Sequence, residues 1–183
     1  MLKTPFLGIA LLVATVPFSL HAQNKIKPPD SPSKVVLDSW NDVGRKLIAM
    51  AEDFPEAKYD FKPTPEVRSF AEQLLHAAGA NYYFINQAKG EKPPAGEDPK
   101  RSDFKDKAAI VAFVKKSFAD GAAAIQAKGD KGMNDVVAYS PDQEARIGDI
   151  ANGFIEHCGE HYGQLVVYYR VAGLVPPESR PKK

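Results

Sequence analysis

Apolar residues recur along this chain in steps of three and four. From Val36 the series runs through Trp40, Val43, Leu47, Met50 and Phe54, which turns one side of a helix towards a core because 3.6 residues make a turn. Pro55 closes that helix, since proline breaks the hydrogen-bond ladder. A second series, Phe70, Leu74, Ala77 and Phe84 with Asn81 among them, follows Ser69-Phe70-Ala71-Glu72. There the serine caps the first turn and the glutamate three positions on reaches back to the cap. Gly90 ends this helix. A third is expected from about Asp103 to Lys128, with Phe104, Ala108, Val111, Phe118, Ala122 and Ile125 on one side and Gly129, Gly132 and Asn134 breaking it. The fourth is expected to open at Ser140-Pro141-Asp142-Gln143, a cap with proline at the first helical position, and to run to Gly173 ahead of Pro176 and Pro177. Period-two alternation is nowhere sustained, and Val136 to Tyr139 reads as a short extended piece without a partner strand. The expected fold is all-α, a single four-helix bundle.

The segments between these series set the domain limits. Met1, Leu2 and Lys3 precede an apolar run from Phe6 to Phe18 that ends in Ser19-Leu20-His21-Ala22, the layout of a cleaved export signal over residues 1–22. The run is shorter than the roughly 20 residues that span a bilayer. No membrane association is therefore expected after cleavage. Residues 23–32, with Pro28, Pro29 and Pro32, read as a linker, residues 33–177 as the bundle and 178–183 as a flexible tail. Gly90 to Ser102 is a polar, proline-rich connection of thirteen residues, which extended reaches roughly 43 Å, enough to cross a bundle end to end.

Composition narrows the classes further. With 44% hydrophobic and 26% charged residues the chain is neither disordered nor collagen-like. Its 24 basic residues balance 23 acidic ones, so no basic face is expected and nucleic acid is not an expected partner. Cys158 is the only cysteine. An internal disulfide is excluded, and stability has to come from the core or from a bound metal.

The chemistry concentrates on the fourth helix. Its core stripe reads Ile147, Ile150, Phe154, His157, His161, Gln164 and Tyr168. At about 100° per residue, the last three lie within roughly 40° of His157. Burying such groups unpaired costs on the order of 1–3 kcal/mol each. Imidazoles at i and i+4 sit on adjacent turns, close enough to share a divalent cation. The third histidine of the exported chain, His76, falls at the edge of the second helix's core face. Two alternatives stand beside a three-histidine metal site. The histidines could be core residues bonded to one another, to Gln164 or to tyrosines. His157-Cys158-Gly159-Glu160-His161 also matches the inverted zinc-protease pattern with Glu160 as base, though only Glu178 follows as a downstream carboxylate. Cys158 points away from the ligand direction and reads as a small buried side chain. Gln164, Tyr168 and Tyr83, which lies beyond His76 on its helix, are candidates for orienting ligands or a substrate.

Two stretches carry a family resemblance. His157 to Arg170, HCGEHYGQLVVYYR, with Gly173-Leu174-Val175-Pro176-Pro177 behind it, is similar to the last helix of DinB-like proteins. Arg68 to Ala78, RSFAEQLLHAA, resembles that family's second helix, where its first histidine ligand lies. The resemblance spans about Ser33 to Pro177. It implies a bundle in up-down-down-up order, a divalent metal held between helices by His76, His157 and His161, and a homodimer paired through the first and last helices. Thiol-transferring relatives use cytoplasmic thiol cofactors, whereas a signal peptide directs this chain to the periplasm or the medium.

Three neutral imidazoles leave a doubly charged ion with open coordination positions, suited to activating water or holding a thiolate or another anion. Zinc and nickel lead the expected metals, followed by iron, copper and manganese. The expected function is that of an exported, metal-dependent hydrolase or thiol transferase acting on a small molecule. The alternative is a non-catalytic protein that binds metal or a small ligand.

Overall fold

A computed structural model describes residues 30–181 except 93, 95, 97 and 141. The expected signal peptide and most of the expected linker lie outside the described residues. Four helices form: α1 Pro32–Asp53, α2 Phe70–Lys89, α3 Lys107–Gly132 and α4 Ile147–Val171. Between α3 and α4 stands a two-stranded antiparallel hairpin, β1 Val136–Ser140 and β2 Gln143–Arg146. Among the described residues no helix is long and apolar enough to cross a membrane.

Three of the four helices start where the sequence supplies a side-chain cap. The Ser31 hydroxyl accepts from Lys34 N, and Pro32 takes the first turn, where its missing N–H is not needed. Ser69 and Glu72 form the expected capping box of α2, with bonds of 3.2 and 2.6 Å. α3 opens at Lys107, capped by Asp106, which accepts from Ala109 N at 2.8 Å, rather than near Asp103. Residues 101–103 instead make a separate turn of 3-10 helix.

The start of α4 differs from expectation. Residues 143–146 are not a first helical turn but β2, paired so that Val137 faces Ala145 and Val136 faces Arg146. The helix begins at Ile147, whose N–H reaches Asp135 O at 3.0 Å, while Gly148 N reaches Met133 O at 2.8 Å. These carbonyls satisfy the amides that a side-chain cap would otherwise serve. The hairpin lies mostly exposed, so it carries almost no alternation of apolar and polar residues.

α1 packs on α3 and α4, and so does α2, which leaves α1 and α2 across the diagonal. Trp40 is fully buried at the centre and donates from its indole N–H to Phe118 O at 2.9 Å. Gly121 makes room for it, since a Cβ there would lie 2.0 Å from the indole ring. At one end Phe54 stacks on Phe70 at 3.7 Å between ring centres, with Tyr169 edge-on to both, and the Tyr169 hydroxyl donates to Met50 O at 2.9 Å. This aromatic block anchors the first residue of α2, six positions before His76. Beyond α4, Glu178 pairs with Arg45, and Arg180 bonds Asp53 and Val175 O. The stretch expected to be a loose tail is thus held against α1 as far as it is described.

Candidate metal centre

Three helical turns bring the site together. His76 stands in the second turn of α2, while His157 and His161 occupy successive turns of the facing α4. His161 is buried and the other two are half-buried. Nε2 of His157 lies 2.9 Å from Nε2 of His161 and 3.3 Å from Nε2 of His76. One ring nitrogen from each histidine falls within 4.8 Å of the others, the one such group of metal-ligating side chains among the described residues.

The outer ring nitrogens decide what these inner ones can do. Nδ1 of His76 stands 2.7 Å from Asp98 Oδ1. An ionised carboxylate only accepts, so Nδ1 carries the proton. Nδ1 of His161 stands 3.0 Å from Gln164 Oε1, an acceptor, and 2.5 Å from Gln73 Nε2, a donor, and the buried Gln73 amide also donates to Gln164 Oε1. Nε2 of His76 therefore presents a lone pair inwards, and Nε2 of His161 does so in the tautomer whose Nδ1 donates to Gln164. The Nε2–H of a neutral His157 can be aimed at one of these neighbours, not both, and its own Nδ1 is buried without a hydrogen-bond partner among the described residues. A cation at the meeting point resolves this frustration, and the donor set, three imidazole nitrogens, suits a borderline divalent ion.

Electrostatics disfavours a proton charge on the two α4 histidines. Burial, reinforced by the neighbouring His161 and His76, pushes His157 down to about 4. Burial also lowers His161, against the opposing pull of its bond to Gln164. For Asp98 burial works against ionisation, but the bonds to His76 and Arg68 outweigh it and hold the carboxyl below its usual range.

The remaining candidates fall into place around this cluster. Gln164 orients His161. The Tyr168 hydroxyl donates at 2.5 Å to Arg68 O, so it ties the loop ahead of α2 to α4. Tyr83 stacks on Phe154 with ring centres 6.3 Å apart and lines, with His76, Asn86 and Asp98, a groove of about 420 Å³. Glu160 is exposed. Cys158 is fully buried, with Sγ 3.3 Å from Asn81 Oδ1, and burial drives its thiol up to about 12. Gln73 and Asp98 are partners that the sequence pattern does not reveal. Gln73 could have been found as a polar side chain on the core face one turn before His76, whereas Asp98 sits in a connection where no periodicity applies.

Comparison with known proteins supports the helical fold. Residues 40–165 match the model of the DinB superfamily. The fold is similar to that of a DinB-like protein from Bacillus cereus ATCC 10987, with a TM-score of 0.61 and 17% identity over 79% of this chain and 95% of that one. It is also similar to a conserved protein from Enterococcus faecalis, with a TM-score of 0.56 and 12% identity over 78% of this chain and 98% of that one. At such identities the likeness establishes the fold alone. No curated protein matches the chain.

Proposed function

The chain belongs to the DinB superfamily, and from that premise we propose that it binds one divalent metal through Nε2 of His76, His157 and His161 and acts outside the cytoplasm on a small molecule. The observation that carries this reading is the inward convergence of three Nε2 atoms, that of His76 held as an acceptor by the bond from its Nδ1 to Asp98. Pairings across the bundle support the up-down-down-up order as well. Phe54, at the end of α1, stacks on Phe70, at the start of α2. Asn81 of α2 bonds Ser117 of α3, and further along both helices Ala88 and Ala124 line one groove. Tyr169, late in α4, reaches Met50, late in α1.

When bound, such a metal supplies Lewis-acid activation of water or of an anionic ligand, zinc and nickel being the leading ions. The protein's own residues prepare that chemistry. Asp98 fixes the His76 tautomer, the amides of Gln164 and Gln73 meet His161 Nδ1 and each other, and Phe154 packs against His157 with ring centres 6.0 Å apart. The groove beside His76, walled by Tyr83 and Phe113, offers space for a small substrate. Hydrolysis and thiol transfer are the reaction classes proposed.

A second reading, a non-catalytic metal or ligand carrier, is favoured by one observation. Asp98, the carboxylate bonded to the cluster, is engaged by both His76 and Arg68 and is not free to move a proton. Titration of metal-free protein with zinc, nickel and manganese, beside a His157→Ala, His161→Ala double variant, tests the site. One equivalent bound by the parent and none by a folded variant is expected, and a parent that binds nothing overturns the reading. Turnover of ester, amide or thiol-transfer substrates by the loaded parent alone favours the enzyme. Equal background in both proteins favours the carrier.

A further inference from the structure

Resting on that metal reading, we propose that Asp98 is a positioning residue for His76, delivered to the site by the connection between α2 and α3. Asp98 Oδ1 lies 2.7 Å from His76 Nδ1, and its other oxygen, Oδ2, lies 3.2 Å from Arg68 Nη2. One carboxylate thus joins the first ligand to the segment ahead of α2, whose carbonyl at Arg68 is itself held by Tyr168 of α4.

The connection is latched immediately after this contact. Pro99 seats against Gly79, one turn beyond His76 on α2, where a Cβ would come within 2.6 Å of Pro99 Cδ. Only glycine lets the chain approach so closely. Two residues on, Arg101 Nε donates to Asp60 Oδ1 at 2.9 Å, and its Nη1 donates to Phe104 O at 2.7 Å. The position of Asp98 is therefore set by packing on α2 and by an ion pair to the preceding loop.

The three rings are unequally supported. His76 has a carboxylate behind it, His161 the amides of Gln164 and Gln73, and His157 Nδ1 no partner among the described residues. A carboxylate behind an imidazole fixes the tautomer and raises the donor strength of the opposite nitrogen, and removing such a partner typically lowers metal affinity 10- to 100-fold. His76 is on this account the strongest of the three donors, and a surface connection controls it.

The test compares Asp98→Ala, Asp98→Asn and Gly79→Ala with the parent. Zinc affinity is expected to fall about 10- to 100-fold in Asp98→Ala and by less in Asp98→Asn, whose carbonyl still accepts from Nδ1. Gly79→Ala, which dislodges Pro99, should resemble Asp98→Ala. In metal-free protein, nitrogen-15 NMR should find the His76 proton on Nδ1 in the parent and shared between both nitrogens in Asp98→Ala, a readout that a purely structural role leaves unchanged. Unchanged zinc affinity and an unchanged tautomer in Asp98→Ala overturn the proposal. If the parent binds no zinc, the metal reading fails on its own, and the NMR comparison still decides the role of Asp98.

Discussion

His157 concentrates the tension of the site in one side chain. Its Nε2 faces the Nε2 atoms of both other rings, and its Nδ1 is buried with no partner among the described residues. In the unfolded chain an imidazole takes a proton below about pH 6.5, whereas in the fold it does so only near 4. Between those values the unfolded state binds more protons, so stability of the metal-free protein should fall as pH drops from about 6.5 towards 4 and be indifferent to this group above about 7. Discounted for partial exposure, the loss is about 1–3 kcal/mol. Urea unfolding at pH 7 and 4.5 checks this, with a smaller drop expected in His157→Gln. The spacing of His157, His161, Gln164 and Tyr168 made their common face legible, because helical geometry converts sequence separation into direction. It says nothing about Asp98, whose approach depends on how a connection folds back over α2.

At the scale of elements, close approach rather than propensity governs the pairing of α1 with α3. Gly121 sits mid-helix, where glycine costs about 1 kcal/mol relative to alanine. Here the usual gain from replacing it is reversed, because the Trp40 indole occupies the space of the missing side chain. Gly121→Ala should destabilise the protein by about 1–3 kcal/mol through overpacking, read as a lower urea midpoint with an unchanged slope. A stabilised variant would show that α1 and α3 can part without cost. All four helices were legible from the spacing of their apolar residues, although the buried face of α3 runs through Ile110, Val114, Phe118, Gly121 and Ile125, while Ala108 is exposed and Phe104 precedes the helix. The hairpin was not. Its residues are mostly exposed, leaving nothing for a hydrophobic pattern to record, and Ser140-Pro141-Asp142-Gln143 imitates a helix cap where the chain makes a turn instead.

For the whole molecule, the metal proposal makes α2 and α4 one cross-linked pair. A ligand that binds only the folded state stabilises it in proportion to the logarithm of its concentration over the dissociation constant. At neutral pH and a hundredfold excess over that constant, zinc should add about 2.7 kcal/mol, or roughly 5–11 °C in melting temperature for a domain of this size. The gain should shrink as pH falls, since protons compete for the ring nitrogens. Thermal melts with zinc and with a chelator measure it, and identical melting points would detach the site from the fold.

Cys158 lies in that same seam, its sulfur enclosed between the Ala77 carbonyl and Asn81 of α2. With its thiol driven up to about 12, it carries almost no thiolate at neutral pH, and neither oxidants nor alkylating reagents can reach it while the seam is shut. Chemical modification of this sulfur has to wait for the two helices to separate. The lone cysteine is thereby a native stopwatch for the breathing of the interface that holds the histidines.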